Sequence, residues 1–321
     1  MVQPVPLNFI QLETKEVDTQ DEKQNNYLSV EMITIFTVPK PFSGLLEITQ
    51  FNAIQSWMRL EPPPEILLLG NEDGVGEFAS KYGLKHLPDV QCNEYGTPLV
   101  SSIFAIAREN ASNRIMAYIN ADILLASDLY HVVNMCVRRF TRFLIIGRRW
   151  DVDVKKKIDF DTSGWREKII EFAKTHGRLH PETGMDYFIF SVNAFIEIPP
   201  FAIGRLAWDN WVVWKGRYDG MAVVDATLVI TAIHQNHPSM LEDRKEEREI
   251  EIRTNRQIAG ERLFDVLDCN YVADDKRIKP ARDKIYVERR MGRMRVNHPV
   301  LWRLLYSWKL RYLYCWLRLH L

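Results

Sequence analysis

The feature that most restricts this chain is an alternation beginning at Met32. Short apolar runs, MITIFTV (32–38), EILLLG (65–70), RIMAYINADILL (114–125) and FLIIG (143–147), are separated by segments with helical periodicity. Each run is short and rich in Ile, Leu and Val, so it reads as a strand buried on both faces. Between the first two, Ile48, Phe51, Ala53, Ile54 and Trp57 recur at helical spacing until EPPP breaks the pattern. Helices are likewise expected over 76–82, closed by Gly83, over 96–110 with Pro98 in the first turn, and over 129–140. This rhythm predicts an α/β fold, a mainly parallel sheet flanked by helices and joined by right-handed crossovers. After Arg148 the rhythm loosens. A helix is expected over 165–175, two further strands at MDYFIFSV (185–192) and GMAVVDATLVITAI (220–233), and a Trp-rich helix over 206–214 between them.

Composition narrows the class. A chain of 321 residues with 46% apolar side chains can build one large core and an appendage, which excludes wholesale disorder. The 42 basic and 42 acidic residues cancel, so no nucleic-acid partner is expected. The cancellation hides two unlike parts, because residues 281–321 hold 10 Lys/Arg against 2 Asp/Glu. Cys92, Cys136, Cys269 and Cys315 have no CxxC spacing, which argues for free thiols over a zinc site or disulfide framework. The start lacks a basic-then-apolar leader and no run of about 18 apolar residues occurs, so a cytoplasmic location is expected. The organisation expected is a polar leader over 1–30, an α/β body over 31–240, a charged helical extension over 241–280 and a basic aromatic tail over 281–321.

Ligands of open parallel sheets bind at the carboxyl ends of the strands. Here those ends carry Thr37, Val38, Pro39 and Lys40, then Asn71, Glu72 and Asp73, then Asn120 and Asp122, then Arg148 and Arg149, and finally His234 and His237. Carboxylates, arginines and histidines converging on one rim suit a metal-bridged diphosphate. Adjacent residues of an extended chain point oppositely, so only one of the two arginines is expected to reach such a site. In AWDNW the helical wheel puts Trp208, Trp211 and Trp214 on one stripe and Asp209 nearly opposite. The charge run EDRKEEREIEIR (242–253) reads as a solvated helix face.

At these residues the sequence resembles the GT-A nucleotide-sugar glycosyltransferases, and a group of bacterial glycosyltransferase-like proteins in particular. The resembling segments are GNEDG (70–74), NEYGTPLVSSIF (93–104), YINADILL (118–125), FLIIGRRWDVD (143–153), TGMDYFIF (183–190), IPPFAIGRLAWDNW (198–211) and VVDATLVITAIHQNH (223–237). The resemblance implies a GT-A fold and a metal-dependent transferase, with Mn2+ or Mg2+, a nucleoside-diphosphate sugar as donor and an acceptor hydroxyl. Asn120-Ala121-Asp122 stands where that family has a DxD, with Asn120 in place of the first aspartate. Asp122 would then contact the metal together with His234 or His237. Donor contacts would fall to Thr37, Val38, Glu72, Asp73, Asn93, Thr97, Asn120 and Arg148. Asp209 would be the general base, and Asp186 would touch donor sugar or acceptor.

Two other classes are consistent with the same residues. A sugar-1-phosphate nucleotidyltransferase shares the sheet type, although VPKPFSG (38–44) is a poor phosphate loop; a non-catalytic scaffold at a membrane surface would tolerate Asn120. The segment VLWRLLYSWKLRYLYCWLRLHL (300–321) is basic and aromatic, with Arg303, Ser307, Arg311 and Arg318 on one arc of a helix. It is suited to an anionic membrane surface and so to a peripheral location and a lipid-linked or glycan acceptor, and alternatively to docking on its own domain.

Overall fold

The computed structural model describes residues 31–125, 129–237 and 244–293. The leader and the tail from 294 lie outside the described residues, as does the amphipathic arc of 300–321. The described residues fall in one compact unit.

The chain opens with β1 (Ile33–Thr37), α1 (Gly44–Met58), β2 (Glu65–Leu69), α2 (Val75–Tyr82) and β3 (Lys85–Leu87). It continues with α3 (Val100–Asn110), β4 (Ile115–Ile119), β5 (Ile123–Leu125), α4 (Leu129–Val137), β6 (Phe143–Ile146) and β7 (Arg149–Val152). Then come α5 (Trp165–His176), β8 (Arg178–Leu179), β9 (Tyr187–Ser191), α6 (Trp208–Tyr218), β10 (Ala222–Asp225) and β11 (Ala232–Gln235). Last are α7 (Lys245–Ala259), β12 (Tyr271–Ala273), β13 (Ile278–Pro280) and α8 (Lys284–Gly292). No helix among the described residues is long and apolar enough to cross a membrane.

Nine strands form one sheet in the order β13-β12-β10-β6-β9-β4-β1-β2-β3, and four form a second in the order β5-β11-β7-β8. The mainly parallel, helix-flanked sheet expected from the sequence is present. Two strands depart from the pattern: β9 runs antiparallel to both neighbours, β4 and β6, and the edge strand β13 runs antiparallel to β12. Alternation along β1 divides the core into two layers. Ile33 and Ile35 pack with Trp57 on one face, and Phe36 packs with Phe104 and Trp208 on the other.

Two apolar runs that read as single strands are each divided. RIMAYINADILL turns at Asn120, where the Ile123 amide donates to the Asn120 carbonyl at 3.0 Å, so β4 stays in the large sheet and β5 leaves for the small one. GMAVVDATLVITAI is split the same way into β10 and β11. Hydrophobicity alone cannot report a change of sheet, because both halves are buried. Helix α3 starts at Val100, leaving Gly96, Thr97 and Pro98 as loop.

The chain leaves β1 toward β2 on one side and returns to β4 on the other. Outside the carboxyl ends of β1 and β4 lies the crevice that such a switch of direction creates. A buried polar network fixes its floor. Trp57 Nε1 donates to the Ile123 carbonyl at 2.9 Å, and Gln235 Nε2 donates to the carbonyls of Thr49 (2.8 Å) and Asp122 (3.1 Å). Asn52 Nδ2 donates to Gln235 Oε1 at 2.9 Å. Asn52 and Gln235 are fully buried, and their bonds pin the backbone of Asp122 to α1.

Candidate functional site

The crevice is a cleft of about 570 Å³. Its walls come from the end of β1 (Val38, Lys40), from Glu72, from the loop before α3 (Thr97) and from the turn after β4 (Asn120, Asp122). Ile203, Gly204 and Arg205 before α6, His237 after β11, and Arg244 and Arg248 at the start of α7 complete it. Gln50 fixes the backbone of Lys40 at both polar groups: its Oε1 accepts the amide at 2.6 Å and its Nε2 donates to the carbonyl at 3.0 Å.

Asp122, His234 and His237 present ligand atoms that all lie within 4.8 Å of one another. His237 Nε2 is 3.1 Å and His234 Nε2 3.8 Å from Asp122 Oδ2. The second oxygen, Asp122 Oδ1, is buried with no hydrogen-bond partner among the described residues. A buried lone carboxylate oxygen beside two imidazoles is an incomplete set, and a divalent cation would complete it. Burial works to raise the Asp122 pKa, but the bond from His237 and the charges of His234, Lys40 and His237 prevail and hold it at about 2. For His234 burial prevails, aided by the Arg149 charge, and the pKa falls despite Asp122, Asp186 and Asp151. Near neutrality the trio is therefore a carboxylate with a neutral His234, the protonation state in which imidazole binds metal.

Asn120 is held on both sides. Tyr118 Oη donates to its Oδ1 at 2.9 Å, and its Nδ2 donates to Asp186 Oδ1 at 2.5 Å. Asp186 Oδ2 is bound by Arg149, so both carboxylate oxygens of Asp186 are engaged within the protein. Of the adjacent arginines, Arg149 turns to this acidic cluster. Arg148 turns away, donating through Nε to the His180 carbonyl at 2.7 Å and lying 3.6 Å from Glu182.

Asp209 sits in the first turn of α6 behind Ala207, a non-glycine residue with φ of +87°. That left-handed geometry costs about 1–2 kcal/mol and marks a locally over-determined segment. Burial, reinforced by the Asp186 charge, raises the Asp209 pKa to about 7 against the bonds from the amides of Asn210, Asp209 and Ala207. Asp209 Oδ1 is buried without a partner among the described residues. Asp209 is not part of the cleft wall, but Tyr118 is, and its phenol is pushed up by burial and then by Asp122, Asp186 and Asp209. The tryptophan stripe opposite Asp209 is core at Trp208 and Trp211, and Trp214 is only half-buried.

The remaining sequence-derived candidates fall in three places. Val38, Glu72 and Thr97 line the cleft. Asn93 shapes the wall, its Oδ1 accepting the amides of Tyr95 (3.0 Å) and Thr97 (2.9 Å) and its Nδ2 donating to Glu251 Oε1 at 2.7 Å. Thr37 and Asp73 lie off the cleft wall: Thr37 is fully buried at the end of β1, and Asp73 offers its carbonyl to the Phe42 amide at 2.8 Å.

The charge run differs from the solvated face expected of it. It forms α7, where Glu251 is 3% and Asn255 1% exposed, and Arg205 Nε donates to Glu251 Oε2 at 2.6 Å. Arg248, Glu251 and Asn255 recur at i, i+3 and i+7, one helix stripe facing inward, and Arg244 stands exposed one turn before it at the cleft. That period was present in the sequence and is hidden by the charged residues on the other faces. Gln50, Arg205, Arg244 and Arg248 line the cleft and were not selected from the sequence; Lys40 was placed at a strand end without a role of its own. Arg205 and Arg244 reach the cleft only through contacts distant in sequence.

No family model matches the chain, and no curated protein matches it. Among solved structures it is similar to glucosyl-3-phosphoglycerate synthase from Mycobacterium tuberculosis in complex with Mn2+, UDP and glucosyl-3-phosphoglycerate. That likeness is 15% identity over 73% of this chain and 80% of that one, with a TM-score of 0.43. The same synthase with Mg2+ and UDP matches at 15% identity over 72% and 80%, TM-score 0.42. With Mn2+, UDP-glucose and phosphoglyceric acid it matches at 15% over 72% and 80%, TM-score 0.42. Likeness at this level carries no residue-by-residue correspondence.

Proposed function

We propose that this chain is a metal-dependent glycosyltransferase of the GT-A type, moving a sugar from a nucleoside-diphosphate donor to an acceptor hydroxyl. One observation carries the reading: the cleft at the β1/β4 switch point combines the Asp122–His234–His237 trio with the basic side chains Lys40, Arg205, Arg244 and Arg248. One carboxylate and two imidazole ligands would leave a divalent cation with surplus positive charge, which the anionic oxygens of a diphosphate would balance. Bound there, Mn2+ or Mg2+ supplies Lewis-acid stabilisation of the departing nucleoside diphosphate.

The chain's own residues do the rest. Lys40, Arg205, Arg244 and Arg248 neutralise phosphate charge, while Val38, Glu72 and Thr97 border the nucleoside and Asn93 holds the Thr97 loop in place. Asn120 and Asp186, tied to each other and to Arg149, form a rigid polar wall beside the sugar. Asp209, with a pKa of about 7, has the basicity suited to accepting the acceptor's proton near neutrality, and from its place behind the cleft wall it would have to turn toward the cleft to do so. The basic aromatic segment 300–321 suits a lipid-linked acceptor at an anionic membrane; pelleting of the chain with anionic but not neutral vesicles would support this, and equal pelleting would oppose it.

Donor turnover tests the main reading. UDP-, GDP-, dTDP- and CMP-sugars incubated with the chain should give metal-dependent release of one class of nucleotide. Asp122→Ala should lower that release by about 10³-fold, the several kcal/mol that a catalytic metal contributes. Undiminished release by Asp122→Ala would remove the trio from the reaction.

A further inference from the structure

This inference rests on the metal reading of the cleft and concerns a residue that reading leaves out. In the small sheet β7 and β11 run parallel, and His234 lies in register with Asp151. Alternation puts both on the same face. Trp150, Val152 and Ile233 point the other way and pack with Leu124, Ile169 and Ala173. His234 is thereby placed between two carboxylates, with Nε2 3.8 Å from Asp122 Oδ2 and Nδ1 3.4 Å from Asp151 Oδ1, its Nδ1 making no hydrogen bond among the described residues.

A histidine that ligates through one ring nitrogen carries its proton on the other, and the group receiving that N–H sets tautomer and ring orientation. Asp151 is built to be that group. Its Oδ1 accepts from Arg149 Nε at 2.9 Å and its Oδ2 lies 2.6 Å from His180 Nδ1. His180 depends in turn on Gly184, since a Cβ there would come within 2.3 Å of His180 Cδ2. Gly184 is not among the glycines with positive φ, so what this position requires is space for the ring.

We propose that Asp151 is a positioning residue for metal binding. It holds the proton on His234 Nδ1 and leaves the Nε2 lone pair directed toward Asp122, while Arg149, His180 and the gap at Gly184 fix its carboxylate. Arg149 also binds Asp186, so one guanidinium ties the metal side of the cleft to the Asn120–Asp186 wall.

The test is Mn2+ affinity of the full chain, read by electron paramagnetic resonance titration without any donor. Asp151→Asn should weaken Mn2+ binding about 10- to 100-fold. Gly184→Ala, which touches no ligand, should weaken it in the same direction by less. A merely structural role would instead appear as a lower Tm in EDTA with an unchanged Kd. If the wild type binds Mn2+ and Asp151→Asn binds it equally, the inference fails and the metal reading stands; if the wild type binds none, both fail. Nitrogen NMR of the metal-free wild type at pH 8 gives a reading that needs no variant. The His234 proton is expected on Nδ1, and a proton on Nε2 overturns the proposal.

Discussion

The two sheets solve different problems. In the large sheet β1, β4 and β6 are buried along their whole lengths, and both faces are closed by apolar helices. In the small sheet one face packs on α5 through Ile169 and Ala173, while the other is divided: Ile123, Leu125 and Ala232 join the main core. The rest of that face carries Arg149, Asp151 and His234, paired with one another beside Asp122. The large sheet supplies the bulk of the hydrophobic stabilisation, which scales with apolar area removed from water. The small sheet places charges, and charges must be held by bonds. The split of RIMAYINADILL between the two sheets puts Asn120 and Asp122 at the junction, fixed by one and exposed to the other.

The largest expected effect falls on Asp209, carried on the large sheet's side. Asp209 belongs to α6, whose Trp208 and Trp211 are part of that sheet's core. As the base, Asp209→Asn should lower kcat about 10²- to 10⁴-fold. Stability should move the other way. The native pKa of about 7 lies above the ordinary 3.8, so between these values the folded state keeps a proton that the unfolded state releases. Stability therefore falls as pH rises through that window. Asp209→Asn should raise Tm at pH 8, and the difference should vanish below pH 4. Thermal unfolding across pH 4–8 checks the sign, and a Tm at pH 8 no higher than wild type would mean Asp209 is not held in a desolvated place.

The next effect sharpens the contrast between the sheets. Asn52→Ala removes bonds to Gln235, to the Lys156 carbonyl and from the Ile158 amide. Buried groups left unpaired cost about 2 kcal/mol, a drop in Tm of about 3 °C. Because that network holds the Asp122 backbone, Mn2+ affinity should fall as well. Ile35→Val in β1 should cost about 1 kcal/mol, the loss of one buried methylene, and leave Mn2+ affinity untouched. If Ile35→Val weakened Mn2+ binding as much as Asn52→Ala, the division of labour between the sheets would not hold.

How much the sequence discloses follows the same division. The inner strands of the large sheet were legible because each is a bounded apolar run, and Asp122, His234 and His237 because each stands where such a run ends. Asp151 carries only a local signal: in RRWDV the alternation puts it on the same face as Arg149, and nothing nearby indicates that β11 will bring His234 into register. Arg205, Arg244 and Arg248 were hidden for a related reason. Their role depends on α7 folding back against the loop before α6, where Glu251 binds both Arg205 and Asn93. The antiparallel course of β9 leaves no trace in its composition, since YFIFS would be equally buried in either direction.

The central claim is that the cleft holds a nucleoside diphosphate through a metal carried by Asp122, His234 and His237. Calorimetric titration of UDP, GDP, ADP and CDP into the chain, once with Mn2+ and once with EDTA, tests it most directly. The account predicts that one of them binds at least about 100-fold more tightly with Mn2+ than in EDTA, roughly 2.7 kcal/mol of metal-dependent affinity. Equal affinity in EDTA, or no binding by any of the four with Mn2+, would contradict it.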